Sequence, residues 1–172
     1  SGDPAKAAQA AMASYDYETA RVHLANALKD NGNDPNLIFL DGELALASGD
    51  PERAKSAFER LASDPKWAAR AVPLLAKAQL MGGSPQLALE TLAGAGKLND
   101  VGHAVSISCK FTTGKAEEAV AELDSALVAF PDSLDLGVID GSRAMAQGDL
   151  ARAKSVADRL TAKYTGHPDA LM

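Results

Sequence analysis

Three histidines, one cysteine and three matched aspartates are the side chains of this 172-residue chain best placed, by type, to do chemistry. His23, His103 and His167 could ligate zinc, but zinc needs a second ligand at close helical spacing, such as i, i+4, and none of the three has one. No carboxylate at ligand spacing accompanies them either. Cys109 stands alone, which excludes an internal disulfide and a cysteine-based zinc site. Set between Ser106-Ile-Ser and Lys110-Phe in a helical stretch, it reads as a small packing residue and not as a reactive thiol. Asp16, Asp50 and Asp149 could together suggest a cation site or a general acid. Each, however, stands where a helix starts, and there a carboxylate satisfies free N–H groups and the helix dipole. N-capping is therefore the expectation. With no P-loop, nucleophile elbow, dinucleotide fingerprint or Cys–His pairing, the residues predict no enzyme, no cofactor and no bound metal.

The elements that would have to position any site are helices. Hydrophobic residues make up 47% of the chain and aromatics only 5%, so alanine carries much of the apolar content. That balance suits closely packed helices better than a β-sandwich. A length of 172 residues fits one domain or one short repeat array. Seventeen basic against 23 acidic residues give a net charge of −6, which disfavours nucleic acid, because binding there depends on neutralising phosphates. No run of about 18 apolar residues is present, so no segment is expected to span a membrane.

Internal repetition organises the chain. Residues 41–61 align without a gap with residues 140–160, sharing Asp-Gly, two alanines, Gly-Asp, Arg-Ala-Lys-Ser and Arg-Leu at the same offsets. Intermediate copies follow from the turn glycines Gly49, Gly83, Gly114 and Gly148, with Tyr15 at the corresponding place in the first copy. Five residues beyond each of these comes an alanine: Ala20, Ala54, Ala88, Ala119 and Ala153. A residue so constant marks a helix crossing with no room for a larger side chain. Proline and capping residues divide the copies, as at Asp34-Pro35, Asp64-Pro65 and His167-Pro168. These signals predict helices over 4–14, 17–30, 36–48, 51–63, 67–81, 85–94, 100–113, 116–129, 133–147 and 150–164, and no strands. The sixth is expected to be short, because Gly94 and Gly96 weaken its end.

A period near 34 residues with this pattern resembles the tetratricopeptide repeat (TPR) family. Its small residue in the first helix is matched by Ala8, Gly42, Ala76 and Gly141, and its turn glycine and early second-helix alanine by the residues above. Its large residue four positions later is matched by Leu24, Phe58, Leu92 and Leu123, with Ala157 departing in the fifth copy. Ile107 departs at the small position of the fourth. The resemblance implies an all-α fold, a right-handed α-α superhelix or solenoid of about five helix–turn–helix repeats. The copies fall at about 1–35, 36–65, 66–99, 100–132 and 133–168, in a single array that reads as part of a longer chain.

The same resemblance implies a function in binding a protein or peptide partner in a concave groove lined by first helices. On the family pattern the inward positions are Phe39, Glu43, Leu46, Arg70, Lys77, Leu80, Ser108, Phe111, Asp135, Val138, Ser142 and Met145. A large apolar residue recurs at one of them in every copy (Met12, Leu46, Leu80, Phe111, Met145), with Arg70 and Lys77 available to acidic groups. The alternative for this strip is packing between neighbouring first helices. A narrower likeness, over residues 15–29 and 40–50, is to bacterial TPR lipoproteins of exopolysaccharide and PEP-CTERM protein-sorting systems. It implies a non-catalytic assembly subunit on the periplasmic face of a membrane, lipid-anchored through a cysteine that would precede Ser1.

Overall fold

The computed structural model describes residues 2–170, and within them there are ten α-helices, a closing 3-10 turn and no strand. Two compact units divide the chain at Ala95 and Gly96. The first carries α1 (Pro4–Ala13), α2 (Tyr17–Asp30), α3 (Pro35–Ala47), α4 (Pro51–Ala62), α5 (Ala68–Met81) and α6 (Pro85–Ala93). The second carries α7 (Asp100–Thr112), α8 (Ala116–Ala129), α9 (Leu134–Ala146) and α10 (Leu150–Lys163), then the turn Pro168–Ala170. Every boundary lies within one residue of the expected one, and α6 is the short helix anticipated from its glycines.

The punctuation works as its chemistry requires. Asp16, Asp50 and Asp149 each accept a hydrogen bond from the N–H three residues on, at Thr19, Arg53 and Arg152. The bonds from Thr19 hold the Asp16 carboxyl below the ordinary aspartate range. These aspartates are caps. Pro35, Pro51 and Pro85 occupy first turns, where a missing N–H costs nothing. Gly49, Gly83, Gly114 and Gly148 all take positive φ between the paired helices, and in the first copy Tyr15 is forced into the same region at φ 60.

In the first unit, α3 is apolar almost all round because it is covered on two sides. Leu37, Leu40 and Leu44 join Ala8, Ala20 and Leu24 of the preceding pair, whereas Ile38, Phe39 and Ala45 join α4 and α5. The second unit has a corresponding cluster, in which Ile107, Ala119 and Leu123 meet Leu136 of α9. The recurring alanines lie inside this packing: Ala20, Ala54, Ala88 and Ala119 are fully buried and Ala153 nearly so. At the small position of α3 the fit is tighter still, since a Cβ on Gly42 would lie 2.5 Å from the Phe58 ring.

Four of the helix pairs also carry a polar staple between residues 12 apart. Asp41 pairs with Arg53 at 2.9 Å, Thr91 donates to Gln79 at 2.7 Å, Lys110 pairs with Glu122 at 2.9 Å and Arg152 with Asp140 at 2.9 Å. Asp140 is the most enclosed of the charged members, with 4% of its surface exposed. Removing its partner strands a buried carboxylate. Arg152→Met is therefore expected to cost about 2–3 kcal/mol, and Asp140→Asn in the same chain should return most of it, as measured by urea unfolding. Equal stability of the single variant and the parent would show that the staple contributes nothing.

Candidate functional site

The residues of the first unit expected at the site lie on two helices, α3 and α5. Phe39 is 7% exposed, so its ring serves as a floor and not as open surface. It meets Phe58 edge-on at 5.6 Å and Trp67 at 5.4 Å. Above this floor lies Arg70, exposed, with its guanidinium carbon 4.3 Å from the Phe39 ring centre and 5.1 Å from that of Trp67. Contact of this kind with two rings limits the rotamers a guanidinium can visit. Glu43, one turn along from Phe39, is also exposed. The protein around its carboxyl raises its pKa above the ordinary glutamate value, while the Arg70 charge pulls it down. Leu46, Lys77 and Leu80 are half-buried, and Leu46 packs against the α3–α5 core.

Trp67, the chain's single tryptophan, was not among the residues expected at the site. It stands at the cap position of α5, one residue before the helix begins. The signal available was its spacing: three residues before Arg70, on the same side of the first turn.

In the second unit the expected residues divide. On α7, Ser108 is half-buried and Phe111 is 37% exposed. On α9, Asp135 and Val138 are half-buried, and Val138 packs against Val156 and Leu160 of α10. Ser142 and Met145 are exposed and line a trough of about 510 Å³ between α9 and α10.

A second polar cluster joins α7 to α8. Glu122 accepts from Ser106 at 2.7 Å and Lys110 at 2.9 Å, and its other oxygen lies 2.8 Å from His103 Nδ1. Burial pushes this carboxyl up, but the bonds from Lys110, His103 and Ser106 outweigh that and hold it below the usual glutamate range. His103 thus has a carboxylate partner that sequence spacing did not reveal, because the partner sits 19 residues on, across the helix pair. The carboxylate occupies the centre, bonded to serine and histidine separately. A nucleophile relay would need the histidine between the other two. The geometry is that of a helix-to-helix tie. Among the described residues, no group of three or more His, Cys, Asp or Glu is arranged to hold a metal ion, and no helix is long and apolar enough to cross a membrane.

Helix pairs with a glycine turn, a buried alanine five residues later and a shared core with the next first helix define a class: the chain has the fold of a tetratricopeptide-repeat solenoid. Among solved structures it is similar to a thermophilic TPR protein of Thermus thermophilus, at TM-score 0.75 and 19% identity over 98% of this chain and 93% of that one. It is similar too to PilW, a widely conserved type IV pilus biogenesis factor, at TM-score 0.66 and 16% identity over 98% of this chain and 87% of that one. No family model matches the chain, and no curated protein matches it.

Proposed function

We propose that the protein is an interaction scaffold that binds a peptide or protein partner on the inner face of its first helices. The observation that carries this reading is Arg70, exposed and with its guanidinium held against the rings of Phe39 and Trp67. A guanidinium fixed in this way has little further freedom to lose on binding and presents N–H groups suited to a carboxylate. Glu43 feels the same Arg70 charge, so an incoming carboxylate competes with it for the guanidinium. In the second unit, Phe111 on α7 supplies an exposed aromatic contact of its own, a residue type enriched in interface cores. Phe39 supports the site from below, so its replacement tests folding more than binding.

The test is an array of extended peptides, acidic–apolar and neutral–apolar, probed with the parent and with Arg70→Glu. Charge reversal here forfeits the contacts with Phe39 and Trp67 and sets a second carboxylate beside Glu43, so it should lower stability by about 1–2 kcal/mol while leaving the protein folded, and weaken acidic peptides by about tenfold or more, or about 1.4 kcal/mol. Identical peptide profiles for the two proteins would remove Arg70 and this face from the reading.

A second reading, a non-catalytic assembly subunit or lipoprotein of a bacterial envelope or exopolysaccharide-export system, draws on the resemblance over residues 15–29 and 40–50. The likeness to a pilus biogenesis factor is compatible with it. Membrane fractionation of the native protein, with mass spectrometry of its N-terminus, separates the two: a lipid-modified cysteine favours the second.

A further inference from the structure

The second and fifth copies keep the same exposed residues on their second helices: Arg53, Ser56 and Arg60 on α4, and Arg152, Ser155 and Arg159 on α10. Exposed positions around them differ, as at Glu43 and Ser142, Ser48 and Gln147, or Glu52 and Ala151. Packing accounts for the first arginine of each set, which staples its helix pair through Asp41 or Asp140. It does not account for the rest. Among the described residues neither serine hydroxyl has a hydrogen-bond partner, and Arg60 reaches only neutral acceptors, the Gly32 carbonyl at 3.4 Å and Asn33 Oδ1 at 3.1 Å. Around the first set the surface is concave. Arg53, Ser56 and Arg60, at i, i+3 and i+7, share one side of α4 and, with Leu28, Ile38 and Ala57, line a cleft of about 250 Å³ between α2, α3 and α4. Its one carboxylate, Asp41, accepts from Arg53 through a single oxygen, at 3.0 Å from Nε and 2.9 Å from a terminal nitrogen. Glu52 is drawn off to Lys55 at 2.8 Å. Two guanidiniums against one carboxylate leave this cleft net positive, on a chain whose net charge is −6.

We propose that this cleft binds a small soluble phosphate monoester, with the phosphoryl oxygens on Arg60, Ser56 and the uncommitted nitrogen of Arg53, and the ester carbons against Leu28 and Ile38. A phosphoryl group offers three acceptor oxygens and close to two negative charges at neutral pH, which matches donors from three side chains. A carboxylate is satisfied by one arginine fork and leaves the other donors idle. The adjoining cleft of about 450 Å³ lacks the positive surplus, because Asp50 joins Asp41 on its wall and Arg21 pairs with Glu18 at 3.0 Å. An anionic membrane is a poor source of the phosphate, since a chain of net charge −6 gains little from approaching one. The fifth copy is a weaker version of the site. Asp132 stands there at the place of Asn33, setting a carboxylate where the first unit has a neutral amide, and Gly137 replaces Ile38 in the floor. The cleft shares no residue with the inner-face site, so the two readings are independent.

The probe is glycerol 3-phosphate, titrated at neutral pH and constant ionic strength into the isotope-labelled protein and followed by NMR, with acetate as the comparison. The amides from Arg53 to Arg60 should shift saturably, and acetate should bind about tenfold more weakly or less. Arg60→Gln should weaken the phosphate by about tenfold or more, and Ser56→Ala by about threefold or more. The serine variant can only gain helix propensity, so it keeps the test open should Arg60→Gln disturb the fold. Arg70→Glu should leave this binding unchanged, so failure here and failure of the inner-face reading are distinguishable. Acetate binding as well as the phosphate would overturn the proposal, as would full affinity in both variants or shifts spread evenly over the basic residues of the chain. Retention on phosphatidic acid vesicles without saturable binding of glycerol 3-phosphate would also overturn it, by assigning the arginines to a membrane surface.

Discussion

Replacing Phe58 by alanine is expected to lower stability by about 3–5 kcal/mol, the usual cost of truncating a fully buried aromatic ring. The expected value lies at the upper end because the site cannot collapse. Phe58 has no exposed surface, and its ring faces the bare backbone of Gly42, where there is no side chain to move into the gap. The ring also meets Phe39 edge-on and joins the α4 alanines and leucine to α5. One truncation therefore loosens three helices. Phe58→Leu should recover about half of the loss, since leucine is the residue at this position in three of the other copies. Urea unfolding followed by Trp67 fluorescence measures it directly, because Trp67 packs against the same cluster. A loss below about 1 kcal/mol for Phe58→Ala would mean that Gly42 and Phe58 are not the contact on which this repeat closes.

The pairing explains what could be read in advance. Helix ends are set by local chemistry: a capping aspartate, a proline in a first turn, a glycine that alone accepts positive φ cheaply. Such signals act within three or four residues, so every helix was legible to within one residue. Tyr15 shows the limit of identity as a guide, since it adopts the glycine conformation because its repeat demands it. The recurring alanines carried the packing step, as their burial shows.

The site was less legible, because the direction of a side chain depends on how two helices rotate against each other. Phe39 shares its position in the repeat with Ala5, Pro73, Ala104 and Val138, none of them aromatic, yet Trp67 and Arg70 of the next helix close over it. No spacing within α3 announces that. The staples are similar: residues 12 apart face each other across a turn, but two repeats place them eight before and four after the turn glycine, and two place them four before and eight after. The His103–Glu122 tie, 19 residues apart, belongs to neither register.

The same substitution at two equivalent alanines should give very unequal results. Ala119 is fully buried between α7 and α8 and is covered by Leu136 of α9, so all sides of it are filled. Leucine there adds three carbons to a closed space, and Ala119→Leu is expected to cost about 2–3 kcal/mol or more. Ala153 holds the matching place in the fifth repeat and is nearly as buried, at 7% exposed, yet it lines the open trough beside Leu150 and Ala157. A leucine at 153 can extend into that space against Met145, so Ala153→Leu is expected to change stability by less than about 1 kcal/mol, in either direction. Burial fractions alone would rank the two sites together. The difference comes from what lies beyond each alanine: a further helix in one case, an apolar trough in the other. Thermal unfolding of both variants decides it. Equal and large losses would show that the alanine is needed by its own helix pair alone, and that the stacking of a further helix upon it has no part in its recurrence.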